Sequence, residues 1–256
     1  MEEGRQGKTT MPHFFISTSD VKDDIIRVSD KENFHHIARV LRVKIGETLL
    51  LVDENQTLYE TVVQNISSND ITTKVVHVSK SNHCLGLQLY LVQSVLKTDA
   101  QNLVVQKATE LGVKGIIPVV SDNSTIKNSV VDAKIDKWQK IANEAVKQCE
   151  RVDFPTVCSR MTISEFIDTK EFDIKIACVE RCQDKTMKDC LRNLKVLDDS
   201  KIALLIGPEG GFSAKELSML EHAQNVCKVS LGKLILRAET AVITALSNVI
   251  YELEND

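Results

Sequence analysis

The sequence predicts an α/β protein: a small β-barrel carrying one helix, followed by a sheet whose strands alternate with helices. The first third of the chain contains short alternating runs of apolar and polar residues, which is typical of strands. Downstream, apolar strands alternate with amphipathic helices, the pattern of βα units. Near the end, two apolar runs each pass directly into a glycine turn. In an open α/β sheet, tandem turns of this kind form a ligand crevice at the carboxyl ends of the strands.

Composition places the chain among soluble globular proteins. Its 256 residues are 43% hydrophobic and 27% charged, enough for one large or two modest domains. No apolar run is long enough to span a membrane, and the amino terminus has no signal-peptide core. We expect residues 1–11 to be a disordered leader outside the fold. The net charge of -4 argues against bulk coating of nucleic acid but leaves room for a local basic patch.

The cysteine pattern indicates a cytoplasmic protein. Seven cysteines occur without any CxxC pair, so reduced thiols are the simpler interpretation. Cys178, Cys182 and Cys190 are the closest group, but they have no histidine at metal-ligand spacing. We therefore predict no metal site.

Residues 12–85 are expected to form the barrel. Its strands are predicted at His13–Ile16, Glu47–Val52, Leu58–Gln64 and Ile71–Val78. A helix over residues 30–42 separates the first two strands, with Phe34, Ile37, Val40 and Leu41 on one face. Arg39 and Arg42 fall on the other face, where they either contact phosphates or form an ordinary solvated surface.

Residues 86–256 are expected to form the βα part. Strands are predicted at Leu87–Leu96, Ile116–Val120 and Ile174–Val179, and helices at Asp99–Leu111, Asp132–Glu150, Ile163–Asp168 and Thr186–Leu197. Asp99 is the expected cap of its helix and Gly112 the glycine that ends it. Lys107 belongs to a polar stripe of that helix, and Arg151 follows the next one.

The segment from 202 to 251 carries the two glycine turns. The run Ile202–Ile206 enters GPEGG, and Ser213 with Glu216 predicts a capping box at the start of a helix. The run Val226–Leu231 ends at Gly232, and a long apolar helix is expected over Ile235–Tyr251. Glycines let the backbone approach an adenine edge or a ribose, although GPEGG could equally be only a tight turn. A P-loop is excluded because no Gly-Lys-Ser/Thr follows, and the spacing does not match GxGxxG.

Four stretches, LLIGPEGGFS, SLGKLILRAETA, QKATELGVKGIIPVV and HHIARVLRVKIGE, resemble the RsmE family of SPOUT-class methyltransferases. The resemblance implies a SPOUT-type parallel sheet with a C-terminal trefoil knot over residues 86–256. It also implies a PUA-like RNA-binding β-barrel over residues 12–85. The implied activity is S-adenosylmethionine-dependent methylation of N3 of a uridine in 16S ribosomal RNA of the small subunit. The implied assembly is a homodimer, although the apolar C-terminal helix is equally consistent with burial against its own sheet.

The same resemblance suggests the site. Cofactor contacts are expected from the two glycine turns and their flanks: Ile206, Gly207, Pro208, Gly210, Gly211, Leu231, Gly232, Ile235, Leu236 and Arg237. Arg237 is the candidate that stabilises the uracil imide anion, since a guanidinium stays charged and donates in a fixed fork. Glu209 and Glu239 could accept the N3 proton, hold Arg237, or serve only structure. RNA contacts are expected from Arg39, Arg42, Lys107 and Arg151.

Four positions depart from the family pattern. Leu234 and His13 stand where arginines are common, and Cys149 and Glu150 stand where a serine and a glycine precede Arg151. Lys233 is shifted by one position and could compensate for Leu234 in part. Two other functions therefore stay open: a SPOUT enzyme that methylates a ribose 2′-hydroxyl, and a non-catalytic ribosome-assembly factor that keeps the fold. The sequence does not specify the target nucleotide.

Overall fold

The computed structural model describes residues 13–80, 85–124, 126–149, 151–180, 182, 185–197 and 199–254. The expected leader, residues 1–11, lies outside the described residues. The chain divides into two compact units, residues 1–83 and 84–256.

The first unit is a six-stranded sheet with a 3-10 turn, Thr18–Asp20, and one longer helical segment. Its strands are β1 (His13–Phe15), β2 (Val21–Lys22), β3 (Ile25–Val28), β4 (Thr48–Val52), β5 (Thr57–Ile66) and β6 (Ile71–Lys80). They pair in the order β1-β4-β5-β6-β3-β2, antiparallel except for β1 beside β4. β1 and β2 are thus the edges of the sheet, which the described strand pairs do not close into a barrel. The sequence pattern missed β2 and β3, which are too short to show a clear alternation.

The helical segment of this unit changes its period midway. Helix α1 (Lys31–His35) is capped by Asp30 and continues as a π-helical turn, His36–Leu41. A π turn adds a residue per hydrogen-bonded ring and rotates the following side chains around the axis. Ile37 is buried as expected, but Val40 is 58% exposed, so the predicted four-residue apolar face is wrong at Val40 and Leu41.

The second unit is a parallel sheet with helices on both faces. Its strands are β7 (Gln88–Ser94), β8 (Gly115–Val119), β9 (Thr156–Val157), β10 (Ile174–Cys178), β11 (Lys201–Ile206) and β12 (Cys227–Val229). They lie in the order β12-β10-β11-β7-β8-β9, and every pair is parallel. The chain reverses its direction of travel across the sheet between β7 and β11. An open α/β sheet binds ligands beside such a reversal, at the carboxyl ends of its strands.

Eight helices complete the described fold. Those of the second unit are α2 (Thr98–Glu110), α3 (Asn128–Asp132), α4 (Ile135–Cys149), α5 (Ile163–Asp168), α6 (Met187–Arg192), α7 (Ala214–His222) and α8 (Ala238–Leu253). Helices α2, α4 and α8 pack together over one face, where Leu91, Trp138 and Val242 are buried. Helices α5 and α7 cover the other face through Phe166 and Leu220. Trp138 is therefore a core residue.

Several boundaries differ from the sequence prediction. Helix α2 has Lys97 as its N-cap, with Asp99 inside the first turn, so Asp99 is not the capping residue. Gly112 does end this helix, with a φ of +83°. The helix expected over Asp132–Glu150 is α4, which begins only at Ile135 because the separate short helix α3 precedes it. The helix expected over Thr186–Leu197 stops at Arg192. No helix in the described part of the chain is long and apolar enough to cross a membrane.

Candidate active site

A cavity of about 870 Å³ opens at the carboxyl ends of the central strands of the second unit. Cys178, Ile206 and Ser230 mark the ends of β10, β11 and β12 in its wall, and Lys97 and Ala100 add the start of α2. Most of the lining comes from two loops, residues 206–212 and 230–239. The volume lies within the usual range for small-molecule sites. All ten residues expected to contact the cofactor line this cavity.

The first loop, residues 206–212, has glycines for two different physical reasons. Gly211 has a φ of +68°, a region that residues with a Cβ rarely adopt. At Gly207 the backbone is ordinary, but a Cβ would lie 3.2 Å from the ring of Phe212. The Gly211 amide donates to the Pro208 carbonyl at 2.9 Å and closes the turn. A side chain at Gly211 would strain the backbone, and one at Gly207 would crowd Phe212, so both positions favour glycine.

The capping box predicted at Ser213 is confirmed. The Ser213 hydroxyl accepts from the Glu216 amide at 3.1 Å, and Glu216 accepts from the Ser213 amide at 2.8 Å. Glu216 is buried, and its other carboxylate oxygen accepts from the amide of Asp122 at 2.8 Å. The box thus links the glycine loop to the loop after β8 as well as starting α7.

The second loop extends further than the sequence predicted. Helix α8 begins at Ala238, so Ile235 and Leu236 belong to the loop and not to the helix. Gly232 has a φ of +138°, and Ser230 bonds both its amide and its carbonyl. Leu234 and Ile235 are 81% and 60% exposed at the cavity. Because this loop is extended, both Ile235 and Leu236 line the cavity. In a helical turn, these two successive side chains would point in different directions around the helix axis.

The three candidate catalytic side chains all line this cavity but have different partners. Arg237 is exposed at the N-cap of α8, and its guanidinium bonds no other described residue. Glu209 accepts a hydrogen bond from the Lys97 amide at 3.0 Å, so its carboxylate ties the glycine loop to the start of α2. Glu239 lies in the first turn of α8, and within the described part of the chain its carboxylate has no hydrogen-bond partner.

Arg151 does not form part of an exposed RNA surface. Its side chain is 5% exposed and donates to the carbonyls of Thr109 at 2.7 Å and Val113 at 3.0 Å. It also donates to both carboxylate oxygens of Asp153. The Lys114 ammonium forms an ion pair with the same carboxylate at 2.9 Å. Burial alone would raise the pKa of the Asp153 carboxyl, but bonds and charge from Arg151 and Lys114 hold it below its ordinary value. The guanidinium is a buried cross-link, and the expectation of an RNA contact here is corrected.

The remaining RNA-contact candidates are surface residues. Lys107 is half-exposed and pairs with Glu110 at 2.8 Å on the polar stripe of α2. Arg39 and Arg42 are exposed in the first unit, and Arg42 ends the π turn with a φ of +56°. These placements are compatible with RNA contact and equally with a solvated surface.

Two cysteine thiols of the second unit have raised pKa values. Burial raises the pKa of Cys178, and burial together with the neighbouring Cys227 thiol raises the pKa of Cys190 to about 12. The Cys190 and Cys227 sulfurs lie 2.8 Å apart. Within the described residues, no cluster of His, Cys, Asp or Glu side chains could hold a metal ion.

Sequence reasoning missed three polar residues around the site. Lys97 lines the cavity, and Gln93 donates to the Gly207 carbonyl at 3.4 Å. Asn123 donates to the carbonyls of Gly210 and Gly211. These residues lie at or just after the ends of β7 and β8, far in sequence from the glycine loop, so no local spacing marks them. Only the order of the sheet brings them to the glycine loop.

Comparison with known proteins fits this geometry. Residues 83–250 match the model of an RNA methyltransferase domain, and residues 28–76 match that of an RNA methyltransferase PUA domain. The chain belongs to this RNA methyltransferase family. The methyltransferase match contains both loops of the cavity, and the PUA match contains Arg39 and Arg42.

Two curated relatives from different bacteria share a name. The methyltransferase is 28% identical over 235 residues to "Ribosomal RNA small subunit methyltransferase E" of Rickettsia conorii, covering 92% of this chain and 93% of that protein. It is 27% identical to the protein of the same name from Bacillus subtilis, covering 87% and 89%. The resemblance to the RsmE family seen in the motifs is thereby confirmed.

Two solved structures extend the match to the fold. A Legionella pneumophila protein in complex with bound SAM superposes with a TM-score of 0.80 at 26% identity, covering 96% of this chain and 99% of that chain. The small subunit methyltransferase E of Neisseria gonorrhoeae, bound to S-adenosyl methionine, gives 0.77 at 26% identity, covering 94% and 97%.

Proposed function

We propose that this RNA methyltransferase uses S-adenosylmethionine to methylate N3 of a uridine in 16S ribosomal RNA of the small subunit. The observation that carries the proposal is the cavity formed by the two glycine loops, with Arg237 and Glu239 in its wall. The names of the curated relatives support the small-subunit substrate, and the two solved neighbours with S-adenosylmethionine support the cofactor.

The residues of the cavity suit this cofactor. Ile206, Leu231 and Leu236 offer apolar surface for an adenine, and the backbone of both loops offers amides and carbonyls to its edge and to the ribose. The amino end of α8 reaches the cavity at Ala238 and Glu239, and the free amides of a helix start favour a carboxylate. The group supplies an electrophilic methyl on a sulfonium.

The protein's own residues prepare the acceptor. Neutral uridine N3 carries a proton and is a poor nucleophile, so the site must remove that proton and stabilise the resulting anion. We assign stabilisation of this anion to Arg237, because its donors are not engaged by another described residue and a guanidinium stays charged. Glu209 already accepts a hydrogen bond from the Lys97 amide, so we assign it a positioning role. We assign to Glu239 the role of the base that accepts the N3 proton.

The proposal includes the assembly implied by the family resemblance. We propose that residues 12–85 act as the PUA-like RNA-binding domain and that residues 86–256 form the methyltransferase domain with its trefoil knot. Arg39, Arg42 and Lys107 would contact RNA phosphates, and the enzyme would act as a homodimer in the cytoplasm. The match of residues 28–76 to a PUA domain of RNA methyltransferases supports the first of these statements.

Calorimetric titration with S-adenosylmethionine tests the site. Wild type should bind, and Gly211→Arg should lower affinity at least about tenfold, because a side chain at a φ of +68° distorts the loop. Gly46→Arg is the matched control: Gly46 also has a positive φ, lies in the first unit, and has open space around it. Equal affinity of Gly211→Arg and wild type, with unchanged circular dichroism, would argue against this cofactor site.

Nucleoside mass spectrometry tests the reaction. Small subunits lacking the modification should gain 3-methyluridine when incubated with the enzyme and S-adenosylmethionine. A 2′-O-methylated nucleoside instead would replace the proposed chemistry with ribose methylation. Cofactor binding without any methylated product on free RNA or subunits would favour the assembly-factor alternative.

A further inference from the structure

We propose that Asn123 is a positioning residue that holds the glycine loop in its ligand-binding shape and thereby sets the affinity for S-adenosylmethionine. The inference rests on the proposed function of this cavity. Asn123 itself does not line the cavity and would act through residues that do.

The contacts are direct. The side-chain amide of Asn123 donates to the carbonyl oxygens of Gly210 at 3.3 Å and Gly211 at 3.1 Å. A Cβ on Gly210 would lie 3.3 Å from the Cβ of Asn123, so the two segments also pack closely. One side chain therefore fixes two successive carbonyls of the loop.

Fixing these carbonyls also fixes the amides on the opposite side of each peptide. A peptide unit is planar and trans, so its N–H points away from its C=O. The Gly211 carbonyl shares its peptide with the Phe212 amide, and Phe212 lines the cavity. That amide is not bonded to any other described residue. Asn123 thus determines the direction of a backbone donor that is available to a ligand.

Asn123 is itself held in place. Asp122 accepts from the Ser213 hydroxyl at 2.7 Å and donates its amide to Glu216. On the other side, the Ser124 hydroxyl donates to the Val95 carbonyl at 3.1 Å, next to the end of β7. The segment 122–124 is therefore anchored to both the start of α7 and the neighbouring strand. Its central residue can transmit that rigidity to the loop.

The loop needs such a restraint. Adjacent glycines have more backbone freedom than any other pair of residues, so ordering Gly210 and Gly211 on ligand binding costs conformational entropy. A loop that is already held in the bound shape binds more tightly, because less freedom is lost on association. The sequence SDNS at 121–124 carries this function without being part of the cavity wall.

Titration calorimetry with S-adenosylmethionine on the full chain tests the proposal. Asn123→Asp keeps the size but replaces the donor with an anion facing two carbonyls, and Asn123→Ala removes the contact without adding charge. We expect about tenfold weaker binding for Asn123→Asp and about fivefold weaker binding for Asn123→Ala. Asn225→Asp is the matched control, since exposed Asn225 donates to the Ile167 carbonyl at 2.8 Å away from the cavity; its affinity should equal that of wild type.

Kinetics separate positioning from general damage. In both Asn123 variants, KM for S-adenosylmethionine should rise by the same factor as the dissociation constant, while kcat and KM for RNA stay within about twofold. If both folded variants bind S-adenosylmethionine as tightly as wild type does, the positioning role of Asn123 is disproved and the proposed function is unaffected. A wild type that binds no S-adenosylmethionine would overturn the proposed function and this inference with it.

Discussion

Arg151 and Arg237 show how the same side chain serves opposite purposes in one domain. Arg151 is buried and bonds Asp153 and the carbonyls of Thr109 and Val113. Arg237 is exposed in the cavity wall, and its guanidinium bonds no other described residue. A guanidinium has five donors, and those of Arg151 are directed at the protein interior. Partners, rather than residue type, determine which arginine can meet a substrate.

The largest effect is expected from Arg151→Met. Removing the guanidinium leaves the Asp153 carboxylate with Lys114 alone and takes a donor from the carbonyls of Thr109 and Val113. Breaking a buried ion pair in this way typically costs about 3–5 kcal/mol of unfolding free energy. Thermal unfolding should show a midpoint about 10 °C lower for a domain of this size. Arg27→Met is the control, because the Arg27 pair with Asp70 is at the surface, and it should change the midpoint little.

The pH dependence of that loss sharpens the test. The lowered pKa of Asp153 contributes stability that is complete above the ordinary aspartate value of about 3.9. That contribution is lost as the pH falls through the lowered pKa, so wild type and variant should converge in acid. If the Arg151→Met variant were as stable as wild type but bound RNA more weakly, an RNA contact would be the better explanation of Arg151.

Arg237→Ala should reduce kcat by about 100-fold, the effect typical of losing one donor to a developing anion. Folding should be unaffected, because the side chain is exposed and has no described partner. Arg237→Lys keeps the charge without the planar fork and should recover only part of the rate. The measurement is single-turnover methylation of small subunits at saturating cofactor. A normal rate in the alanine variant would exclude Arg237 from the chemistry.

The smallest effect is expected from Glu209→Gln. A glutamine oxygen can still accept from the Lys97 amide, so kcat should fall no more than about threefold. Glu239→Gln is the matched comparison and should lower kcat at least about tenfold, because an amide cannot take up the N3 proton. The reverse ranking of the two variants would make Glu209 the base and Glu239 the structural residue.

Features whose contacts join residues close together in the chain could be predicted from the sequence. The Ser213–Glu216 capping box and the helix end at Gly112 both follow from residues within one helical turn of each other. Helix α5 has the bounds that its apolar spacing predicts. The errors at Val40 and Ile235 arose where a π turn and an extended loop replaced the regular helix. The error at Asp99 arose because the cap of α2 is Lys97, two residues earlier.

The sequence by itself determined the α/β class, the two glycine turns and the family, since these depend on local spacing and on long motifs. The tertiary structure decided which polar residues meet. Parallel strands are connected by long crossovers, so strands that are neighbours in the sheet can be far apart in the chain. The order β11-β7-β8 brings Lys97 and Asn123 to the glycine loop that contains Glu209. The same packing buried Arg151 beside Asp153. Burial and partners are properties of that three-dimensional arrangement, and no spacing along the chain encodes them locally.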